Sequence, residues 1–380
     1  MQTIVIGHRN PDMDAICSAI AYGELKRQLG TPNVLVARAG NTNARIDFVL
    51  EKFGVPAPEF VGDVTPRVGD LMEKRVFSLL HHSTINTAIN SIEQKRLRGL
   101  PVVDDENRCL GLLSAWKITS HLFPPREEMS SSPVISASVA DLVQAVDGNI
   151  LAGKADTEER PLIIMVAGMS LEAFLGRVEH HDSGKIALFV GDREDIQLAA
   201  ISKGVTTVVV TDGLGVSAEV RRAAKNANAC LISSRFDTAT SVLLCRTSMR
   251  VDQFVDATFT SFTPETTLEA ARKIAANAPD FFIFPILDES QRLLGILSKS
   301  DFLRTVPRQL ILVDHNEMTQ AVKGADEVPI VEVLDHLRLP ACARMCRSSF
   351  GIIRLDRPAR LSLSAISSMG LASNRQLLVY

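Results

Sequence analysis

The stretch Thr3-Ile-Val-Ile-Gly-His-Arg-Asn-Pro-Asp-Met-Asp14 decides how this chain folds. Thr3 to Ile6 is a continuous apolar run that ends in Gly7, the pattern of a strand buried on both faces. Asp14 to Leu29 then repeats apolar residues at helical spacing, with Ile16, Ala19, Ile20 and Leu25 on one face and Gly30 as the stop signal. Between strand and helix stand His8, Asp12 and Asp14, an imidazole and two carboxylates within seven residues. Pro11 keeps Asn10 out of the helical region, so the three side chains can converge before the helix begins. Ligands in open α/β sheets bind outside the carboxyl ends of the strands, which is where this segment lies.

Working outward, Asn33 to Ala37 reads as the next strand and Ala44 to Phe53 as a helix ended by Gly54. This β-α-β-α order predicts an α/β fold with a parallel sheet. It stops near Val61, after too few strands to close a core. The same texture returns at Gln309 to Val313, so one domain is interrupted, and residues 1–63 and 308–336 are expected to pack together. The returning strand ends in Val313-Asp-His-Asn-Glu317, and the next in Val331-Glu-Val-Leu-Asp-His336. Three neighbouring strands can thus bring His8, Asp12, Asp14, Asp314 and His336 to one rim. Mixed imidazole and carboxylate ligands suit Mn²⁺, Co²⁺ or Fe²⁺ better than calcium. A carboxylate such as Asp314 can bridge two cations about 3.5–4 Å apart, the spacing of two-metal phosphoryl hydrolysis. The bland alternative is a capped strand–helix turn with Asp14 as N-cap.

The interruption contains a repeat. The hallmark lines are RGLPVVDDENRCLGLLSAWKI from Arg98 and FFIFPILDESQRLLGILSKSDFL from Phe281. Each follows a helix, Ile85 to Lys95 or Thr267 to Ala276, and each continues into a helix, from Ser114 or from Ser298. The two copies resemble cystathionine-β-synthase (CBS) motifs. Between them, residues 130–245 carry further strands at Leu162 to Val166, Ile186 to Val190, Thr207 to Val210 and Cys230 to Ile232. This middle part resembles a DRTGG domain, with Ser233 to Thr240 where the five-letter signature would fall.

The segments GHRNPDMDAICSAIAYGELK from Gly7 and ILVDHNE from Ile311 resemble the first two motifs of family II inorganic pyrophosphatases, in the DHH phosphoesterase superfamily. A CBS–DRTGG–CBS insert between those motifs marks a regulated subgroup. The resemblance implies hydrolysis of pyrophosphate to two phosphates by two Mn²⁺ or Co²⁺ ions, with Mg²⁺ accompanying the substrate. It implies that His8, Asp12 and Asp314 hold one ion, and Asp14, Asp314 and His336 the other. It further implies adenine nucleotides at the CBS motifs. AMP or ADP would inhibit and dinucleoside polyphosphates would activate, and the chain would pair as a homodimer. In that family a Ser or Thr and an Asp three residues later meet the ribose. Ser298 and Asp301 match this pattern, whereas Ser114 is followed by Lys117, which cannot accept from a hydroxyl but can meet phosphate. Ser298 and Asp301 can also act simply as helix-capping residues.

The implied domain sequence is a first catalytic segment at 1–63, CBS motif 1 at 64–124, a DRTGG-like domain at 130–245, CBS motif 2 at 246–306, a second catalytic segment at 308–336 and an atypical tail at 337–380. The resemblance breaks at the third motif, Asp335-His336-Leu337, where the family has a second histidine. From Leu337 to Tyr380 there are seven arginines and no lysine or glutamate. An out-of-frame tail is expected, the alternative being a divergent C-terminus. Without the missing histidine, a further shared aspartate and a basic substrate clamp, little or no turnover is expected of this chain. Two other functions stay open: a non-catalytic adenine-nucleotide sensor, and a DHH phosphodiesterase.

Composition narrows the partners. Net charge is −3 and there is one Trp and two Tyr, which argues against nucleic-acid binding. No apolar run approaches the ~20 residues of a bilayer span, and the N-terminal strand is too short for a signal sequence, so a cytoplasmic protein is expected. The six cysteines form no C-x-x-C, and Cys342 with Cys346 is assigned no metal role. His81-His82 reads as a turn, Glu179-His-His-Asp182 as a solvated loop, and Gly213-Leu-Gly215 as too short for a phosphate loop.

Overall fold

The computed structural model describes residues 1–123, 133–278, 282–315 and 317–335, and the backbone of 351–354. Met1–Met72, Phe262–Ala278 and the described residues from Leu297 onward form one compact unit. Glu73–Ser261 and the described residues up to Ile296 form the other.

The first unit is built on a six-stranded, all-parallel sheet. Strand Gln2–Ile6 lies inside it, with Val34–Arg38 and then Glu59–Phe60 on one side. On its other side come Arg308–Val313, Ile330–Asp335 and Gly351–Arg354. The returning strand therefore pairs directly with the first, Ile6 opposite Leu312. Ile4, Ile6, Leu310 and Leu312 pack on one face of the sheet, and Val5, Ile311 and Val313 on the other. This alternation explains why both strands read as unbroken apolar runs: each face has its own cover. Burying such a side chain contributes roughly 1.5–3 kcal/mol.

Helix Met13–Gln28 is capped by Asp12, whose carboxylate accepts from the Ala15 amide at 3.0 Å. The cap is thus two residues earlier than Asp14, which falls in the first turn. Gly23 lets this helix lie close on the sheet, since a Cβ there would sit 2.2 Å from Val36 Cγ2. On the same helix Tyr22 Oη and Lys26 Nζ each donate to the Glu332 carboxylate at 2.5 Å, tying helix to returning strand. Strand Gly351–Arg354 continues the sheet beyond Ile330–Asp335. Ile352 and Ile353 are β-branched and suit a strand whatever the surrounding composition.

In the second unit another six-stranded sheet runs in the order Val134–Ala137, Arg160–Val166, Ile186–Val190, Thr207–Val210, Cys230–Ser233, Asn149–Ala152. The four inner strands are parallel and the two edges antiparallel. The first repeat copy supplies helix Ile85–Lys95, the antiparallel strands Gly99–Val103 and Cys109–Ser114, and helix Ala115–Leu122 capped by Ser114. The second copy has helix Leu268–Ala276, which belongs to the first unit, and strands Ile283–Leu287 and Leu293–Ser298. Here the expected helix after Ser298 is a single 3-10 turn, Asp301–Leu303. In place of the helix-capping geometry, the Asp301 carboxylate turns back to the Ser298 amide and hydroxyl at 2.8 and 2.6 Å.

Candidate metal centre

In the sheet of the first unit, Gln2–Ile6 is followed in sequence by a neighbour on one side, while its partner on the other side comes from the far end of the described chain. Such a change of direction opens a crevice at the carboxyl ends of the two central strands. His8 leaves one of these strands and Asp314 the other. His8 Nε2 stands 3.4 Å from Asp314 Oδ2 and 3.9 Å from Asp12 Oδ1. One donor atom from each of His8, Asp12 and Asp314 lies within 4.8 Å of the others.

Local structure fixes each of them. Asp12 Oδ1 accepts the capping bond, and the same oxygen of this exposed carboxylate is the one that faces His8. Asp314 takes the left-handed conformation, φ 54°, which Asp adopts more readily than most residues. Its amide donates to the Leu334 carbonyl at 2.8 Å, which anchors the turn to the next strand. The Arg9 amide donates to the Gln320 carbonyl at 2.8 Å, and its guanidinium to the Thr319 carbonyl, so the two loops are laced together. Gly40 lies tight against the loop that carries His8 and Asp12. A Cβ there would stand 2.0 Å from the Arg9 carbonyl oxygen and 2.7 Å from Pro11 Cδ.

The donor set fits a divalent transition ion: two carboxylates and one imidazole, aimed at one point from two loops. Asp14 is not part of this group. Its carboxylate accepts from the Ser18 hydroxyl at 3.1 Å, one helical turn along. His336 lies outside the described residues, whereas the adjacent Asp335 is 5 % exposed at the end of its strand.

Two residues of the site carried no assignment from sequence. His315 is 1 % exposed and its ring lies 6.3 Å from that of His8. Its Nδ1 is 2.9 Å from the Val313 carbonyl oxygen. A carbonyl only accepts, so Nδ1 carries the proton and donates. The buried Nε2 has no hydrogen-bond partner among the described residues. Burial first, and then the neighbouring His8, hold this imidazole below its ordinary pKa, against the opposing pull of the Val313 carbonyl and Asp335. His315 is thus a neutral ring beside the cluster. Its motif neighbour Asp314 marked the segment, but nothing in the sequence distinguished this ring from a packed histidine. Gly40 is the second, and its only signal was its place after a strand end.

The nucleotide candidates lie in different units. Asp301 is engaged by Ser298, with the Arg304 guanidinium 3.3 Å away. Although burial opposes it, the bonds from Ser298 and Arg304 keep its carboxyl below the usual range. Lys117, in contrast, directs its amine to Asp256 Oδ1 at 3.0 Å.

Comparison with known proteins adds the following. Residues 68–123 and 251–308 match the CBS domain, and residues 141–248 the DRTGG domain. Over 338 residues, 88 % of this chain, it is 29 % identical to the cobalt-dependent inorganic pyrophosphatase of Clostridium perfringens. It is also 29 % identical over 336 residues to a probable manganese-dependent inorganic pyrophosphatase of Thermotoga maritima. The chain spans 60 % of the length of these two curated relatives. A stretch of 103 residues, 27 % of this chain, is 40 % identical to 30 % of a probable manganese-dependent inorganic pyrophosphatase of Bacillus mycoides. The CBS and DRTGG domains of the regulatory region of the Clostridium perfringens pyrophosphatase, crystallised with the activator diadenosine tetraphosphate, share the fold. They match with a TM-score of 0.53 at 24 % identity, over 61 % of this chain and 99 % of that one.

Proposed function

We infer that this chain, a homologue of the manganese- and cobalt-dependent inorganic pyrophosphatases that carries CBS and DRTGG domains, serves metal-dependent hydrolysis of pyrophosphate under the control of adenine nucleotides. The observation that carries this reading is the meeting of His8, Asp12 and Asp314 at adjacent strand ends. His8 offers Nε2, and Asp12 and Asp314 offer carboxylate oxygens, to one Mn²⁺ or Co²⁺. Asp314, Asp14 and His336 are the proposed holders of a second ion. Divalent cations at such a site supply Lewis acidity and neutralise charge during transfer of a phosphoryl group to water. The protein's part is to hold the donors before the ions arrive. Asp12 is fixed by its cap, Asp314 by its strand turn, and His315 lies beside them as a neutral ring whose Nδ1–H is engaged by the Val313 carbonyl.

For regulation, Asp301 is the proposed ribose contact, with Ser298 orienting it, and AMP, ADP or a dinucleoside polyphosphate is the proposed ligand. Ser114 and Lys117 would meet phosphate only if Lys117 leaves Asp256. The chain is proposed to work as a cytoplasmic homodimer. Among the described residues no helix is long and apolar enough to cross a membrane.

Phosphate release from pyrophosphate with Mn²⁺ or Co²⁺, run beside a dinucleotide, tests the reading. Expected is little or no release, with any turnover confined to pyrophosphate and lost in His8→Ala. Release from the dinucleotide alone supports a phosphodiesterase instead. Nucleotide binding by calorimetry with no metal uptake supports a sensor without catalysis.

A further inference from the structure

A second group of donors lies in the other compact unit, far along the chain from the first. It comprises His81, His82 and Asp105, with one donor atom of each within 4.8 Å of the others. His81 Nε2 is 3.6 Å from Asp105 Oδ2, and His82 Nδ1 is 4.0 Å from Asp105 Oδ1. The two rings meet edge to face with centroids 5.1 Å apart. On the far side of His81, its Nδ1 lies 4.0 Å from Asp252 Oδ2.

These separations are informative. At 3.6 and 4.0 Å the groups are too far apart to hydrogen-bond one another. Donors that share a tetrahedral Zn²⁺ at about 2.0–2.2 Å stand roughly 3.3–3.6 Å apart. A small turn of the exposed Asp105 side chain closes the difference. The backbone beneath is already set. The His81 amide donates to the Val103 carbonyl at 2.8 Å, and the Val251 amide to the Ser83 carbonyl at 2.8 Å. Asp105 sits on a turn in which Asp104 Oδ1 accepts from the amides of Glu106 and Arg108 at 3.0 and 2.8 Å. Leu79, Val103 and Val251 are buried underneath.

We propose that His81, His82 and Asp105 form a binding site for a Zn²⁺-like transition-metal ion, distinct from the candidate catalytic centre. His81 binds through Nε2, His82 through Nδ1, and Asp105 through a carboxylate oxygen. A fourth position stays open to water, as in three-ligand zinc sites. Asp252 Oδ2, 4.0 Å from His81 Nδ1, stands on the side away from the ion and would have to close in to accept from the Nδ1–H, a partner that metal-bound histidines regularly have. His81, His82 and Asp105 belong to the first CBS copy and Asp252 to the second, so the bound ion stiffens the junction between the copies.

The test uses the full chain with His8→Ala as background, so that the first centre cannot report. Zn²⁺ is titrated by calorimetry, and Co²⁺ is followed by visible absorption. The proposal expects one equivalent of Zn²⁺ to disappear in His81→Ala/His82→Ala and, separately, in Asp105→Asn. Asp252→Asn should weaken Zn²⁺ about ten- to a hundredfold. Melting curves in EDTA should match for all variants, which separates ligand loss from unfolding. Unchanged Zn²⁺ stoichiometry and affinity in both the double variant and Asp105→Asn would overturn the site.

Discussion

His8 Nε2 and Asp314 Oδ2 stand 3.4 Å apart at the carboxyl ends of two adjacent parallel strands, although the insert separates them in sequence. The contact exists because Gln2–Ile6 and Arg308–Val313 form one ladder, with Ile6 opposite Leu312. The site is therefore a property of the interrupted domain, not of either segment alone. Changes that disturb the ladder or the two loops should register at the metal, and changes elsewhere should not.

Gly40→Ala tests the crevice without touching a donor. The added methyl would meet the Arg9 carbonyl oxygen at 2.0 Å, so the His8 loop must move. Overpacking of this kind costs roughly 1–3 kcal/mol, and Mn²⁺ affinity should fall about two- to tenfold if half of that reaches the donors. Asn43→Ala is the neighbouring contrast. Asn43 caps helix Ala44–Phe53 through the amides of Arg45 and Ile46, so its loss should cost about 1 kcal/mol of stability. Metal titration and melting on both variants check that the first moves affinity and the second does not.

Glu332→Ala should destabilise the first unit by about 2 kcal/mol, because it leaves Lys26 and Tyr22 without their shared acceptor in a half-buried setting. Burial, and then Glu332 itself, push the Tyr22 phenol upward, so Tyr22 stays protonated across the neutral range. Glu332→Gln keeps an acceptor and should cost less. Denaturant unfolding of the three proteins checks this order, and equal stability of wild type and Glu332→Ala would contradict it.

Asp63 should contribute to acid sensitivity. Burial would raise its carboxyl, but bonds from Thr65 and then Lys323 outweigh this and lower it to about 2. The group's pKa is depressed on folding from an ordinary 3.8, so its contribution is full above about pH 4 and is lost as pH falls toward 2. Melting temperature measured from pH 5 to pH 2 should fall more steeply for the wild type than for Asp63→Asn. Parallel curves would show that the Thr65 and Lys323 bonds do not matter to stability.

Asp301→Ala should weaken AMP about ten- to a hundredfold, the worth of a hydrogen bond to a charged group. Lys117→Ala should change it less than about threefold, because the Lys117 amine is held by Asp256. Calorimetry on the full chain checks both. The opposite order would show that a phosphate contact at Lys117, and not a ribose contact at Asp301, carries the affinity.

Much of this was legible in the residues. Buried strands such as Gln2–Ile6 and Ile186–Val190 announce themselves as apolar runs, and helices such as Ala44–Phe53 carry both cap and stop signals. Edge strands were not legible. Val134–Ala137 and Asn149–Ala152 are short and half-exposed, so neither a continuous apolar run nor a clean alternation marks them. Asp12, not Asp14, caps the first helix, and sequence spacing alone does not choose between two nearby carboxylates. The helix expected after Ser298 shrank to one turn because Asp301 bonds back to Ser298. In the site, the meeting of His8, Asp12 and Asp314 was expected from their places at strand ends. The supporting parts, His315 and Gly40, act through burial and close approach, which only the fold reveals.

The most direct test is Mn²⁺ binding to the full chain and to Asp314→Asn, followed by the loss of the free-ion signal in electron paramagnetic resonance. Saturable binding by the wild type, weakened at least about tenfold in the variant, is predicted from the removal of a charged donor of the proposed site. Equal affinity in the two proteins would contradict the central claim that His8 and Asp314 meet to hold an ion.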